Sequence, residues 1–179
     1  MCYVLDVGGS EHPCGDVVLD IIPPINKLNN IEYVVGDACN LPFRSNSFSK
    51  VVSYGSLNYF SDDIKFFREV SRVLRIEGFV VISVLTYYSF LINCIDLLKR
   101  DPIGAFKLIF NTIRRRYRWY AVKSLIDRLT YCGFKVIMSY RNVSFTWRPT
   151  TTPHNILVVA IPSSSTLKLD FLATLTNKL

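Results

Sequence analysis

Val4-Leu5-Asp6-Val7-Gly8-Gly9 is the stretch on which the fold turns. An apolar run from Cys2 to Val7 that breaks into a glycine pair reads as a buried strand running into a tight loop. The same punctuation recurs downstream. Val17 to Ile21 lies between Gly15-Asp16 and Pro23-Pro24, Ile31 to Val35 ends at Gly36-Asp37, and Lys50 to Tyr54 ends at Gly55. Ser61 to Arg75 reads as an amphipathic helix. Ser61 is its N-cap, Asp62 and Asp63 suit its positive end, and Ile64, Phe67, Val70, Val73 and Leu74 form one apolar stripe that Gly78 stops. Phe79 to Leu85 is a fifth strand. Residues 87–119 read as two helical pieces broken near Asp101-Pro102, residues 121–132 as another helix, and Phe134 to Tyr140 and Asn155 to Ile161 as closing strands. Strands alternating with helices or loops predict an α/β domain with a largely parallel sheet.

Composition narrows the class. At 179 residues and 20.5 kDa, one domain is expected, spanning 1–162 with a Ser/Thr/Leu tail over 163–179. Half of the residues are hydrophobic and 20% are charged, which excludes a disordered chain. The mean hydropathy of +0.25 raises the question of a membrane span, because Gly78 to Ile95 carries no charge. Ser83, Thr86, Ser89 and Asn93 interrupt that stretch, and its first half is Val/Ile-rich like a buried strand. Asp6 and the glycine pair interrupt the only early apolar run, so no signal peptide is expected. Cys2, Cys14, Cys39, Cys94 and Cys132 form no C-x-x-C pair, which points to a reducing, cytoplasmic setting. With only His12 and His154 present, a His-rich metal site is not expected. The absence of Gln points to a heat-adapted source.

Charge is concentrated. Lys99, Arg100, Lys107, Arg114, Arg115, Arg116 and Arg118 face Asp101 alone, a local +6 of the chain's +7. Such a window predicts either a solvated helix face or a surface for an anionic partner.

In a parallel sheet, ligands sit beyond the carboxyl ends of the strands. Those ends carry Asp6-x-Gly8-Gly9-Ser10, Asp20, Gly36-Asp37-Ala38 and Ser53-Tyr54-Gly55. The G-x-G-x-x-G of dinucleotide-binding folds is absent, as is a Walker A loop, so a nucleoside without a pyrophosphate fits better. The order Val4-Leu5-Asp6-Val7-Gly8-Gly9, Leu19-Asp20-Ile21 and Gly36-Asp37-Ala38-Cys39-Asn40-Leu41-Pro42-Phe43 resembles the class I S-adenosylmethionine-dependent methyltransferases, in their Leu-Pro-Phe subgroup. Asn46 to Ser53 is similar to that family's D-x-S-F-D-x-V, and Arg68 to Gly78 to its E-x-x-R-V-L-k-P-G-G.

The resemblance implies a Rossmann-like class I methyltransferase sheet, mostly parallel with an antiparallel last strand. It implies S-adenosylmethionine as cofactor. Asp6, Gly8, Gly9 and Ser10 would line its methionine part, Asp20 its ribose diol with Ile21 beside it, and Asp37 and Ala38 its adenine. Ser53 and Tyr54 would face the sulfonium, with Tyr59 and His154 as helpers in catalysis. Residues 87–120 would form a basic substrate cap. The acceptor stays open between two kinds. An RNA would meet Lys107, Arg114, Arg115, Arg116 and Arg118 with stacking on Tyr117, Trp119 and Tyr120, whereas a lipid or quinone-like small molecule would be reached by membrane-surface contact through Phe106, Ile109, Phe110 and Ile113. A non-catalytic binding subunit that keeps the fold and uses 99–118 to hold RNA or protein is the alternative. Departures from the pattern are Ser10-Glu11-His12 after the glycine pair, Leu57-Asn58-Tyr59 in place of L-x-H, Ser49 in place of Asp, and Ile76-Glu77 in place of Pro-Gly.

Loop lengths add an expectation. Gly8 to Asp16 and Ile22 to Asn30 are each nine residues, short of the roughly 10–12 that a crossover with a helix requires. One sheet face is therefore expected to have a reduced helix layer, and the chain to be a short form without the usual N-terminal helices. A homodimer or the 163–179 tail, through Leu167, Leu169, Phe171, Leu172 and Leu175, would cover that face.

Overall fold

The computed structural model describes residues 3–10, 12–114, 118–143 and 155–165. Seven strands form one sheet: β1 (Val4–Val7), β2 (Val17–Asp20), β3 (Glu32–Val35), β4 (Phe48–Tyr54), β5 (Leu74–Leu85), β6 (Phe134–Val143) and β7 (Asn155–Pro162). Their spatial order is β3-β2-β1-β4-β5-β7-β6. The first five pair in parallel, with Leu5 beside Val17 and Val51, and β7 runs antiparallel between β5 and β6. The order reverses between β1 and β4, which makes the carboxyl edge at that point the crevice of the sheet.

Helices α1 (Asp63–Val73), α2 (Tyr87–Arg100), α3 (Pro102–Arg114) and α4 (Val122–Tyr131) complete the fold. Phe66, Phe67, Val70 and Val73 of α1 and Leu125 and Leu129 of α4 pack on Leu5, Val7, Val51, Val80 and Ile82 of one sheet face. Both short connections are helix-free among the described residues, as their length dictates. Val52, Val81, Leu157 and Val159 form a smaller cluster on the opposite face, and among the described residues none of α1 to α4 belongs to it. Its centre is nonetheless closed within the single chain, since Val52 and Val81 are each 1% exposed. One open apolar surface lies at the β2–β3 edge, in Ile21, Ile22, Ile25, Leu28 and Val35. From residue 166 onward the tail lies outside the described residues.

Two local expectations are corrected. Asp62, not Ser61, caps α1: its backbone is extended and its carboxylate accepts the Lys65 amide at 3.0 Å. Gly78 does not stop the helix. The chain leaves α1 at Leu74 and runs directly into β5, where a Cβ on Gly78 would lie 2.9 Å from the Arg75 carbonyl and 3.1 Å from that of Ser49. The glycine serves close strand packing beside the irregular register between Phe48 and Lys50. Likewise, the uncharged stretch from Gly78 to Ile95 divides between β5 and α2, and among the described residues no helix is long and apolar enough to cross a membrane.

The structure also explains two sequence patterns together. Arg72 donates to the carbonyls of Phe43 (2.7 Å) and Leu41 (2.9 Å), and Glu69 accepts the Leu41 amide (2.9 Å). The two side chains pair with each other at 2.7 Å, and this bond from Arg72 holds the Glu69 carboxyl below its ordinary range. The Leu-Pro-Phe segment is thus clamped onto α1. Arg72→Ala should cost about 2 kcal/mol of stability, because partly screened charged bonds and two carbonyl contacts disappear together. Urea unfolding measures it, and an unchanged midpoint would show that the clamp contributes nothing.

Candidate functional site

The carboxyl edge of β1, β2 and β4 is knit by the loop after Val7. Gly8 has φ +82°, a left-handed value that favours glycine; it donates its amide to Leu19 O at 2.7 Å, and its carbonyl accepts Ser56 Oγ at 2.9 Å. A Cβ on Gly8 would strike the Ser56 side chain, and one on Gly9 would strike the Asp6 carboxylate. The glycine pair therefore serves close packing of the loop itself. Asp6 is 1% exposed and accepts the Cys14 amide at 2.9 Å and the Cys14 thiol at 3.1 Å, holding the far end of the loop down.

Asp20 ends β2 with its carboxylate already oriented: Oδ2 accepts the Ser10 amide at 3.2 Å and Oδ1 the Ile22 amide at 3.1 Å. Each oxygen keeps a second lone pair. Asp37, two residues past β3, fixes Oδ1 on the Cys39 amide at 2.9 Å, and the neighbouring Ala38 is 7% exposed. Ile21 is 72% exposed. Ser53, near the end of β4, is fully buried with its Oγ lacking a hydrogen-bond partner. Residues 6, 8–10, 20, 37–38 and 53–54 thus converge on one edge. These residues fit a nucleoside: carboxylates with open lone pairs for a diol and an exocyclic amine, beside an orphaned buried hydroxyl.

Titration sets what these groups can do. Burial, then the Asp6 charge, pushes the Cys14 thiol up to about 12, so it stays un-ionised and is no nucleophile at neutral pH. Burial likewise raises the Tyr54 phenol to about 12, with Cys14 and Asp6 adding to it. Burial also raises the Asp6 carboxyl above its ordinary 3.8, against the lowering effect of the Cys14 amide.

A second cluster lies just past the end of β4. Asn58, fully buried in the turn Leu57–Tyr59, donates through Nδ2 to Leu85 O (3.0 Å) and Arg118 O (2.7 Å) and accepts the Leu85 amide (3.1 Å). Its own carbonyl accepts the Arg118 amide at 3.0 Å. It thereby joins the exit of β5 to Arg118, on the far side of α3, so that the base of the α2–α3 pair is tied at both ends. In the sequence Asn58 is only the unspecified middle position of Leu57-Asn58-Tyr59, where Tyr59 replaces the His of L-x-H.

Other expected site residues lie apart. Arg118 pairs with buried Asp63 at 2.8 Å and donates to Ser61 O, so its charge is engaged within the chain. Tyr120, expected as a stacking platform, is 2% exposed and donates to Asp63 at 2.9 Å, which corrects that role. Trp119 packs against Phe90 (4.5 Å between ring centroids) and Tyr87 (6.2 Å). Tyr59 is 56% exposed beside Asn58, and Lys107 is exposed on α3. Arg115, Arg116, Tyr117 and His154 fall outside the described residues, as does the Arg114 side chain. A shallow cavity of about 540 Å³ between Ile64 of α1 and Ser124 and Arg128 of α4 includes no strand end and no residue of the glycine loop.

Comparison with known proteins places this geometry. Residues 20–82 match a family described as a methyltransferase domain. A protein of Methanocaldococcus jannaschii that carries no assigned function is 28% identical over 169 residues, 77% of this chain and 63% of that one. A demethylmenaquinone methyltransferase of Thermotoga maritima is 46% identical over 60 residues, 33% of this chain and 26% of that one. The chain thus spans under two thirds of the length of these relatives. Among solved structures, a protein of Pyrococcus horikoshii superposes with a TM-score of 0.63 at 17% identity, covering 89% of this chain and 82% of that one. An S-adenosylmethionine-dependent methyltransferase from Mesorhizobium loti gives 0.59 at 17% identity, covering 88% and 89%.

Two predictions follow the geometry. A carboxyl raised on folding contributes stability while protonated, and that contribution is lost as pH rises from the unfolded value through the folded one. Asp6→Asn, which cannot ionise, should therefore gain stability relative to the parent chain as pH rises above the ordinary aspartate value of 3.8. Paired thermal melts read this, and a difference that stays flat or falls would contradict it. Asn58→Ala strands the Leu85 amide and two carbonyls and should cost about 3 kcal/mol. Its effect should appear as early loss of hydrogen-exchange protection at Leu85 and Arg118.

Proposed function

We propose that this chain, a class I S-adenosylmethionine-dependent methyltransferase by fold, moves a methyl group to an acceptor seated over the ends of β4 and β5 beneath the α2–α3 cap. The observation that carries this reading is the convergence of the Gly8–Ser10 loop, Asp20 and Asp37 on the edge where strand order reverses. Asp20, held by the Ser10 and Ile22 amides, would take the ribose diol with Ile21 alongside. Asp37 would accept from the adenine amino group beside Ala38, and Asp6, Gly8, Gly9 and Ser10 would border the methionine end. Bound there, the cofactor supplies a methyl carbon that its sulfonium already makes electrophilic.

The protein's own task is alignment and exclusion of water. Tyr54, whose phenol holds its proton to about 12, serves as a donor and not as a base. Ser53 offers its free hydroxyl from the same strand end. Tyr59, exposed beside Asn58, is the helper with access to an incoming acceptor; His154 is carried from the sequence alone as the other candidate. The name of the Thermotoga maritima relative supports a small apolar acceptor over RNA. A second copy of the chain would join at the β2–β3 edge, where the apolar residues are open; light scattering at micromolar concentration reads this as a 41 kDa or a 20.5 kDa species, 41 being about twice the chain mass.

Isothermal titration with S-adenosylmethionine tests the central reading. The parent chain should bind, and Asp20→Ala should weaken binding about 30- to 1000-fold through loss of charge-assisted bonds worth about 2–4 kcal/mol. Asp20→Asn, which keeps one acceptor for the loop amides, controls for loosening of the loop. No heat at high micromolar cofactor would leave the non-catalytic binding subunit as the better reading.

A further inference from the structure

The α2–α3 hairpin presents an apolar surface that the fold leaves uncovered. Along α2, Tyr87, Leu91, Ile95 and Leu98 fall on one stripe at helical spacing and are 38–54% exposed, while Phe90, Cys94 and Leu97 turn inward. Along α3, Ile103, Phe106 and Phe110 form a second stripe, 58–71% exposed, while Ala105 is fully buried. Each helix thus buries one face and leaves a second apolar one in solvent, which soluble domains seldom do.

Charge identifies the occupant. Exposed Lys99 and Lys107 border the two stripes. The acids within the hairpin are engaged: Asp96 pairs with Arg100 at 3.3 Å, and Asp101 accepts the Gly104 amide at 2.9 Å. Large apolar side chains bordered by lysines, on helices too short to span, are the composition of a segment that lies in the plane of a lipid surface. A nucleic acid is disfavoured: Tyr120 is buried, Trp119 is packed on Phe90, and Arg118 is held by Asp63.

We propose that α2–α3 docks on an anionic lipid bilayer, with Leu91, Ile95, Leu98, Phe106 and Phe110 entering the headgroup–acyl boundary and Lys99 and Lys107 meeting lipid phosphates. Because Asn58 fixes both ends of the hairpin at the carboxyl edge of β4 and β5, docking sets that edge against the membrane. An acceptor dissolved in the lipid then reaches the site without crossing water; this last step rests on the methyl-transfer reading, whereas the docking does not.

Cosedimentation with vesicles tests it, using phosphatidylcholine alone and phosphatidylcholine with 30% phosphatidylglycerol, a fraction of about one lipid in three chosen to give a strong surface charge. The full chain should partition onto the anionic vesicles and far less onto neutral ones. Phe106→Glu with Phe110→Glu should lower the partition coefficient at least about tenfold. Lys99→Glu with Lys107→Glu should remove the preference for anionic lipid. These side chains are exposed, so the melting temperature of each variant should match the parent's. No partition onto anionic vesicles overturns the proposal, as does partition that the phenylalanine changes leave intact. Salt-dependent binding of single-stranded RNA in place of vesicle binding also overturns it. Vesicle binding without cofactor heat would keep the docking surface and remove the methyl-transfer reading instead.

Discussion

A single buried carboxylate organises the helical side of this molecule. Asp63 is 1% exposed, and it accepts Tyr120 Oη at 2.9 Å, Arg118 Nη1 at 2.8 Å and Arg128 Nη1 at 2.8 Å. It lies in the first turn of α1, Arg128 in α4, and Arg118 and Tyr120 on the segment between α3 and α4. Removing one partner of a buried charge is far more costly than never having placed it there, so this carboxylate constrains three segments at once. Burial, and then the Asp63 charge, raises the Tyr120 phenol, which keeps it a donor throughout the physiological range. The same contact withdraws Arg118 from the basic window, so the +6 of the sequence overstates the charge the surface presents.

With that anchor in place, Asn58 divides the molecule into a sheet and a projecting hairpin. The two leading connections are too short to hold helices, and among the described residues they place none on the second face of the sheet. The acidic groups at the carboxyl edge are held without them, by loop amides: Cys14 on Asp6, Ser10 and Ile22 on Asp20, and Cys39 on Asp37. The ordering of that edge is therefore independent of whether the two leading connections carry helices.

Much of the fold was legible in the sequence because its signals are local. Apolar runs ended by glycine or aspartate placed the first four strands within a few residues, and the break at Asp101-Pro102 separated α2 from α3. Nine-residue connections excluded helices by arithmetic alone. Gly78 was misread for an equally physical reason: a glycine after an amphipathic stripe signals a helix end, whereas here it answers backbone crowding between β4 and β5. Asn58 carried no local signal, because its partners lie 27 and 60 residues away.

The sequence by itself determined the class of the sheet, the acidic and glycine residues at its carboxyl edge, and the excess of positive charge in one window. These follow from hydrophobic period, turn chemistry and composition, which act over a few residues. Only the tertiary structure decided which charges are spent and which remain. Arg118 and Tyr120 are consumed by Asp63, Trp119 is packed on Phe90, and the apolar stripes of α2 and α3 are left bare. Hydrogen bonds and burial between distant segments make that selection, and they exist only once the chain has brought those segments together.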